Sequence, residues 1–325
     1  MRAIVCKEFG PVENLQLGQL PEPEPGPGEV VIDVTVAAMN FPDILIVEGK
    51  YQVRPTPPFS PGLEGTGVIS AVGDGVTLRV GSQVVAAVTH GSFAEKWLVP
   101  ATSVLPFPNG LSVEQAAGFT IAYGTVFYAL SRRGQVAKGD TLLVLGAAGG
   151  VGSAAVELGK IMGATVIAAA STDEKLSFAA SLGADHTINY TEHELKSAVR
   201  ELTDGRGVDV VFDPVGGDLS ETAFRAIAWN GRYLVIGFAA GDIPAIPLNL
   251  PLLKGASIVG VYWGDWLIKE PRQAAEVVDE LYDLAATGRV DPRVSDVFAL
   301  EEFADGYAAL INRAARGKVL LRVSE

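Results

Sequence analysis

The sequence predicts a two-domain α/β protein: a β-rich, partly open barrel and a doubly wound parallel sheet of six strands flanked by helices. Three observations carry this. The chain has 325 residues, 48% of them hydrophobic, more than one core usually absorbs. Up to about residue 120, short strand-like runs are punctuated by glycine and proline, as in open barrels. Beyond that point strand-like and helix-like runs alternate strictly, which demands parallel strands with right-handed crossovers.

In the first part, Val30–Ala37 alternates apolar and polar residues, and Gly67–Val72 and Gln83–Val88 are β-branched runs bounded by glycine. Pro21–Pro27 reads as a stiff loop entering a strand. The alternating part opens with strand Thr141–Leu145 and helix Ser153–Met162. Strand Thr165–Ala170 and helix Thr172–Leu182 follow, then strand His186–Asn189 and helix Glu192–Leu202. Strand Val208–Phe212, a helix near Leu219–Ala228, and strands Tyr233–Ile236 and Ser257–Val261 complete it. Gln273–Ala286 is amphipathic, with Ala274, Val277, Val278 and Leu281 on one face, and Phe303–Arg313 is a second such helix. Lys318–Val323 is a strand too late for the six-stranded sheet and is assigned back to the first domain. The predicted division is 1–122 with 265–325 against 123–264.

Thirty-eight acidic residues against 25 basic ones give a net charge of −13, which argues against general attraction to nucleic acid or anionic membrane. A lone cysteine, Cys6, excludes a disulfide framework and suits a reducing, cytoplasmic setting. The start, MRAIVCKEFG, does not read as a signal peptide. No apolar run approaches the roughly 18 residues of a membrane span.

The stretch TLLVLGAAGGVGSAAVELGKIMGATVIAAAS holds the main chemical signal. An apolar strand ends at Gly146, glycines follow at 149, 150 and 152, and a helix opens there. Glycine permits the sharp turn and the close approach of a pyrophosphate, and the helix presents unpaired N–H groups to it. Gly149, Gly150, Val151 and Gly152 are therefore candidate dinucleotide ligands. The next strand ends Ala168-Ala169-Ala170-Ser171, with no acid on its tip to repel a 2′-phosphate. Ser171 can donate to that phosphate and Lys175 can supply charge, so the expected cofactor is NADPH. Ser171 with Glu174 also reads as a capping box, and Lys175 can equally be a solvated lysine. Asp173, two residues past the tip, is the residue that would favour NAD, but an acid also suits a first helical turn.

Several segments together resemble a known family. They are AAMNFPDILIVEGKY (37–51), PFSPGLEGTGVISAVGDGV (58–76), AAGGVG (147–152), SLGADHTINY (181–190), VVFDPVGGD (210–218) and GKVLL (317–321), with LPLLKG (250–255) and VYWG (261–264). Almost end to end the chain resembles the zinc-independent branch of the medium-chain dehydrogenase/reductase superfamily. Within that branch it resembles the NADPH:quinone oxidoreductases, the group that includes zeta-crystallin. The resemblance implies a GroES-like domain completed by the C-terminal segment, a Rossmann domain inserted in it, and an active site in the cleft between them. It implies cofactor roles for Lys175 and Tyr190 at the 2′-phosphate end, and for Thr125, Gly149–Gly152, Gly237, Phe238 and Arg313. Asn40 and Asp43 match its NFxD element at the mouth of the substrate site, and with Tyr51 they are the expected catalytic residues.

Where zinc-dependent relatives offer cysteine and His-Glu, this chain has Ala38-Met39-Asn40 and Gly62-Leu63-Glu64. One cysteine and three dispersed histidines do not compose a tetrahedral zinc site, so no metal is expected. The expected reaction is hydride delivery to an acceptor that is already electron-poor, a quinone first and an enone or enoyl thioester second. A non-catalytic, crystallin-like NADPH-binding role is the third reading. Asn40 is expected to fix the nicotinamide or a substrate carbonyl through its amide, with loop capping as the alternative. Tyr51 is a candidate pocket residue or proton donor. Tyr262 and Trp263 are candidates to stack on a flat acceptor, or else to pack between domains. Ile44-Leu45-Ile46-Val47-Glu48 stands where many family members have Tyr and Arg, which suggests a more apolar pocket. The sixth strand, Ala256–Val261, would be an exposed edge, and a homodimer through it is expected.

Overall fold

A computed structural model describes residues 1–324. In chain order the first elements are β1 (Arg2–Val5), β2 (Gln16–Gln19), β3 (Glu29–Met39), α1 (Phe41–Val47), β4 (Glu64–Val72), β5 (Gln83–Ala87), β6 (Lys96–Pro100), β7 (Val104–Pro106), α2 (Val113–Ala117) and α3 (Phe119–Phe127). The alternating region contains β8 (Thr141–Leu145), α4 (Gly150–Ile161), β9 (Thr165–Ala170), α5 (Asp173–Ser181), β10 (His186–Asn189), α6 (Leu195–Leu202), β11 (Val208–Asp213), α7 (Leu219–Arg225), β12 (Ile227–Val235), α8 (Asn249–Lys254) and β13 (Ser257–Gly260). The chain closes with α9 (Trp263–Lys269), α10 (Pro271–Ala286), β14 (Val294–Ala299), α11 (Phe303–Ile311) and β15 (Lys318–Arg322).

One unit comprises Met1–Ile121 and the chain from Ala285 onward. Its main sheet runs β14-β15-β3-β4-β5-β7, with β6 also paired to β3. The long strand β3 pairs antiparallel with β4, β6 and β15 along different parts of its length. Register shifts between Val31 and Ile32 and between Val34 and Val36 bend it, as bulges do. The closing strand β15 pairs Val319 with Met39 and Leu321 with Ala37, so the C-terminal segment does belong to this sheet. Ile32, Val34, Met39, Ile69, Phe93, Trp97 and Leu321 fill the core.

The other unit is Ala122–Leu284. Its six strands lie in the order β10-β9-β8-β11-β12-β13, all parallel. Every residue of β8 is buried, as expected for a central parallel strand covered on both faces. The order reverses between β8 and β11, the place where doubly wound folds form a crevice at the carboxyl ends of their strands.

Three sequence expectations change. The second boundary falls after Leu284 rather than after 264. The Tyr128 ring stacks on Trp266 at 4.2 Å, and Arg132 bridges Glu280 at 2.6 Å, tying α9 and α10 into this unit. The fifth strand starts earlier than Tyr233: β12 runs Ile227–Val235 and takes in the last two residues of the helix expected near Leu219–Ala228. Finally, α5 is capped by Thr172, whose Oγ1 accepts from Lys175 N–H at 3.3 Å. Ser171 therefore lies outside the cap and is not the first member of a capping box.

Candidate active site

The dinucleotide cradle is built from short loops at the carboxyl edge of the parallel sheet. After β8 the chain turns at Gly146, with φ +60°. Gly149 is the N-cap of α4, and its N–H donates to Gly146 O at 3.0 Å. A Cβ at Gly152 would collide with the Gly146 carbonyl, so only glycine lets α4 start this close to the turn. The N–H groups of Gly150, Val151 and Gly152 occupy the first turn of α4, where no intrahelical acceptor exists. These positions fit a pyrophosphate.

At the tip of β9, Lys175 Nζ donates to Ser171 Oγ at 3.3 Å, so both candidate 2′-phosphate ligands are brought together. Tyr190 follows β10 directly, and its N–H donates to Ala170 O at 3.2 Å. Asp173 is tied sideways: its Oδ1 accepts from Asn189 Nδ2 at 3.1 Å. Asn189 Oδ1 in turn accepts from Thr191 N–H at 3.1 Å and Thr191 Oγ1 at 2.7 Å.

The loop after β11 is fixed by a buried carboxylate that sequence reasoning did not single out. Asp213 Oδ1 accepts from the N–H groups of Val215 at 2.8 Å and Gly216 at 2.9 Å. Its Oδ2 accepts from Ser220 Oγ at 2.8 Å and from the Tyr233 hydroxyl. Burial and this carboxylate push the Tyr233 phenol well above its ordinary range. Gly237 and Phe238 follow β12 beside that loop, where Ala239 and Ala240 N–H groups bond Pro214 O and Val215 O. Thr125 is half-buried on α3. Arg313 lies in the first unit, exposed, in the turn after α11, with φ +54°.

In the first unit Asn40 and Asp43 join a closed network. Asn40 Nδ2 donates to Ala38 O at 3.2 Å and to Glu64 Oε1 at 3.1 Å. Lys318 Nζ donates to Asn40 Oδ1 at 2.6 Å, Glu64 Oε1 at 3.0 Å and Met39 O at 3.4 Å. Glu64 Oε2 accepts from Ile121 N–H at 2.8 Å. Both amide hydrogens of Asn40 are thus engaged within the protein. The expected donor to a carbonyl is replaced by a residue whose remaining capacity is an Oδ1 lone pair. Asn40 heads α1, but Asp43 Oδ2 closes that end by accepting Asn40 N–H at 2.7 Å.

Asp43 is fully buried, and its Oδ1 accepts from Gly62 N–H at 3.2 Å. It therefore shapes the loop rather than facing a substrate, which corrects the catalytic expectation. Burial pushes its carboxyl up to about 8, partly opposed by the Asn40 N–H and the Lys318 ammonium. Ile44, Ile46 and Val47 are core residues, so that apolar run does not line a pocket; Leu45 alone is half-buried. Tyr51 is half-buried against the same core. Trp263 is also a correction: it is buried in its own unit against Gly124 and Tyr128, with no face to stack on an acceptor. Tyr262 remains 45% exposed.

Lys318 and Glu64 are the partners that sequence reasoning did not assign. The available signals were a lysine opening the apolar strand KVLLRV and a glutamate within GLEGTG. Among the described residues no cluster of three or more His, Cys, Asp or Glu could hold a metal. The residues at 38–40 and 62–64 do not fit zinc, because Asn40 and Glu64 turn their oxygens to an ammonium.

Residues 26–109 match the family described as alcohol dehydrogenase GroES-like domain, and residues 150–281 match that described as zinc-binding dehydrogenase. The chain is 37% identical to the quinone oxidoreductase-like protein 2 homolog of Nematostella vectensis, over 100% of this chain and 89% of that protein. Among solved structures it resembles the quinone oxidoreductase of Thermus thermophilus, described with its NADPH complex. That match has 35% identity and a TM-score of 0.86, covering 99% of this chain and 100% of the other. A 2-haloacrylate reductase aligns at 29% identity with a TM-score of 0.87, each chain covered completely. The chain belongs to the medium-chain dehydrogenase/reductase family, among its quinone oxidoreductase-like members.

Proposed function

We propose that this protein is an NADPH-dependent reductase that acts without metal on electron-poor acceptors, quinones foremost. The observation that carries the reading is the Ser171–Lys175 pair at a strand tip that bears no acid. The NADPH complex of the Thermus relative supports it. Gly149, Gly150, Val151 and Gly152 offer backbone N–H groups to the pyrophosphate, and Ser171 and Lys175 offer a hydroxyl and a charge to the 2′-phosphate. Tyr190, Thr125, Gly237, Phe238 and Arg313 are proposed to complete cofactor binding.

Bound NADPH supplies a hydride. Asn40 contributes a fixed acceptor oxygen to a donor on a bound molecule, and Tyr51 and Tyr262 are proposed pocket residues. The amide hydrogens of Asn40 and the ammonium hydrogens of Lys318 are all engaged within the protein, so neither group is left to donate to an alkoxide. That favours acceptors whose product anion is delocalised, as a quinone's is. Reduction of an activated alkene is the second reading, favoured by the 2-haloacrylate reductase likeness.

We further propose a homodimer through β13, the free edge of its sheet. Leu248 and Leu252, which precede β13 in the chain, are 79% and 78% exposed, which suits a covered face. A cytoplasmic setting fits the single buried cysteine. Among the described residues no helix is long and apolar enough to cross a membrane.

The test is oxidation of NADPH against a panel of quinones, enones and enoyl thioesters. Turnover with quinones is expected, and no turnover with any acceptor would overturn the reading.

A further inference from the structure

Lys318 opens β15 in a run whose next three residues, Val319, Leu320 and Leu321, are all buried. Its side chain is 6% exposed, and that of its partner Glu64 is 1% exposed. Lysine is rarely buried this deeply unless every charge is answered. Here each ammonium hydrogen has an acceptor: Asn40 Oδ1, Glu64 Oε1 and the Met39 carbonyl. Gly118 closes the site over the lysine stem, since a Cβ there would come within 2.9 Å of Lys318 Cε.

The arrangement fixes which way the Asn40 carboxamide points. Turned over, its NH₂ group would face the ammonium, and its oxygen would face Glu64 Oε1 and Ala38 O. Both contacts would then be repulsive. The ammonium thus decides that Asn40 can offer a bound molecule an acceptor and no donor. Through the Met39 carbonyl and Glu64 it also joins the end of β3 to the start of β4.

We propose that Lys318 is a positioning residue of the reductase, a resident cation that neutralises Glu64 and locks Asn40 in its acceptor orientation. This rests on the reading above that places Asn40 at the reaction site. Removing the side chain would leave an oxygen-lined cavity closed by Gly118, shaped for a small alkylammonium ion.

Two variants test this, Lys318→Ala and Lys318→Met, assayed with and without ethylammonium against the wild type in the same salt. Lys318→Ala is expected to lose at least about tenfold in kcat with a quinone, while KM for NADPH changes less than about twofold. Ethylammonium is expected to restore kcat saturably and to raise the Tm of Lys318→Ala, not of wild type, as binding to the native state requires. Lys318→Met fills the cavity, so its kcat is expected to fall without amine rescue. If Lys318→Ala accumulates only as unfolded chain, the kcat of Lys318→Met and amine-dependent refolding of Lys318→Ala decide. Wild-type kcat in Lys318→Met would overturn the proposal. So would an amine that restores the Tm of Lys318→Ala but not its kcat, which would make the cation purely structural. If the wild type turns over no acceptor, the reductase reading fails, and with it the positioning role. The Tm response would then report only on the cation.

Discussion

Asn189 Nδ2 donates to Asp173 Oδ1 at 3.1 Å, so the first acid after the tip of β9 is held from the side by the end of β10. Asn189 is buried and is itself held by Thr191, whose Oγ1 also reaches Ser171 O at 3.3 Å. The three contacts latch the turn that carries Ser171. Asn189→Ala is expected to free the Asp173 carboxylate to serve a ribose hydroxyl. Affinity for ADP-ribose relative to its 2′-phosphorylated form would then rise by about 1 kcal/mol, roughly fivefold. Calorimetry with the two ligands measures this. An unchanged ratio would show that Asp173 has no part in selection.

Lys175 supplies the other half of that selection. A hydrogen bond to a charged group contributes about 1.5–3 kcal/mol, so Lys175→Ala is expected to raise KM for NADPH roughly 10- to 100-fold. NADH kinetics should hardly change. Parallel changes for both cofactors would make Lys175 structural.

Asp213 gathers four donors on one carboxylate and fixes the loop carrying Gly216 and Gly217. Asp213→Ala leaves those donors buried and unanswered, at a cost of about 3–5 kcal/mol. Tyr233→Phe removes a single donor and is expected to cost about 1–2 kcal/mol. Chemical denaturation of both variants checks the order. A Tyr233→Phe as damaging as Asp213→Ala would mean that ring packing, not the carboxylate, dominates.

Asp43 predicts a pH dependence with a definite sign. Burial pushes its carboxyl up to about 8, against 3.8 for the ordinary group. The folded chain keeps a proton that the unfolded chain releases near pH 4. Stability from this group is therefore complete below about pH 4 and is lost as pH rises through about 8. Asp43→Asn cannot titrate, so its stability should fall less steeply over that window in denaturant titrations. Equal slopes would refute the assignment.

Much of this was legible in the sequence, for identifiable reasons. The glycines at 146–152 report a backbone constraint that only their residue type can meet, and strand–helix alternation reports sheet direction. The placement of GKVLL followed from topology alone, because six strands were already used. What could not be read were partnerships across long chain separations. Nothing near Asn40 announces that Lys318 will saturate it. Trp263 read as a cleft residue because the tail of VYWG looked like a strand end, whereas it opens α9 and is buried on Gly124. The unit extends to Leu284, past the Tyr128–Trp266 stack and the Arg132–Glu280 bridge, and spacing alone gives no sign of those contacts.

The most direct test of the central claim is steady-state oxidation of NADPH and NADH by a quinone after exhaustive chelation and metal analysis. Chelation is expected to leave the rate unchanged, and kcat/KM to favour NADPH by at least about tenfold, the equivalent of about 1.4 kcal/mol at the Ser171–Lys175 site. Equal use of the two cofactors, or activity that disappears with stoichiometric zinc, would contradict it.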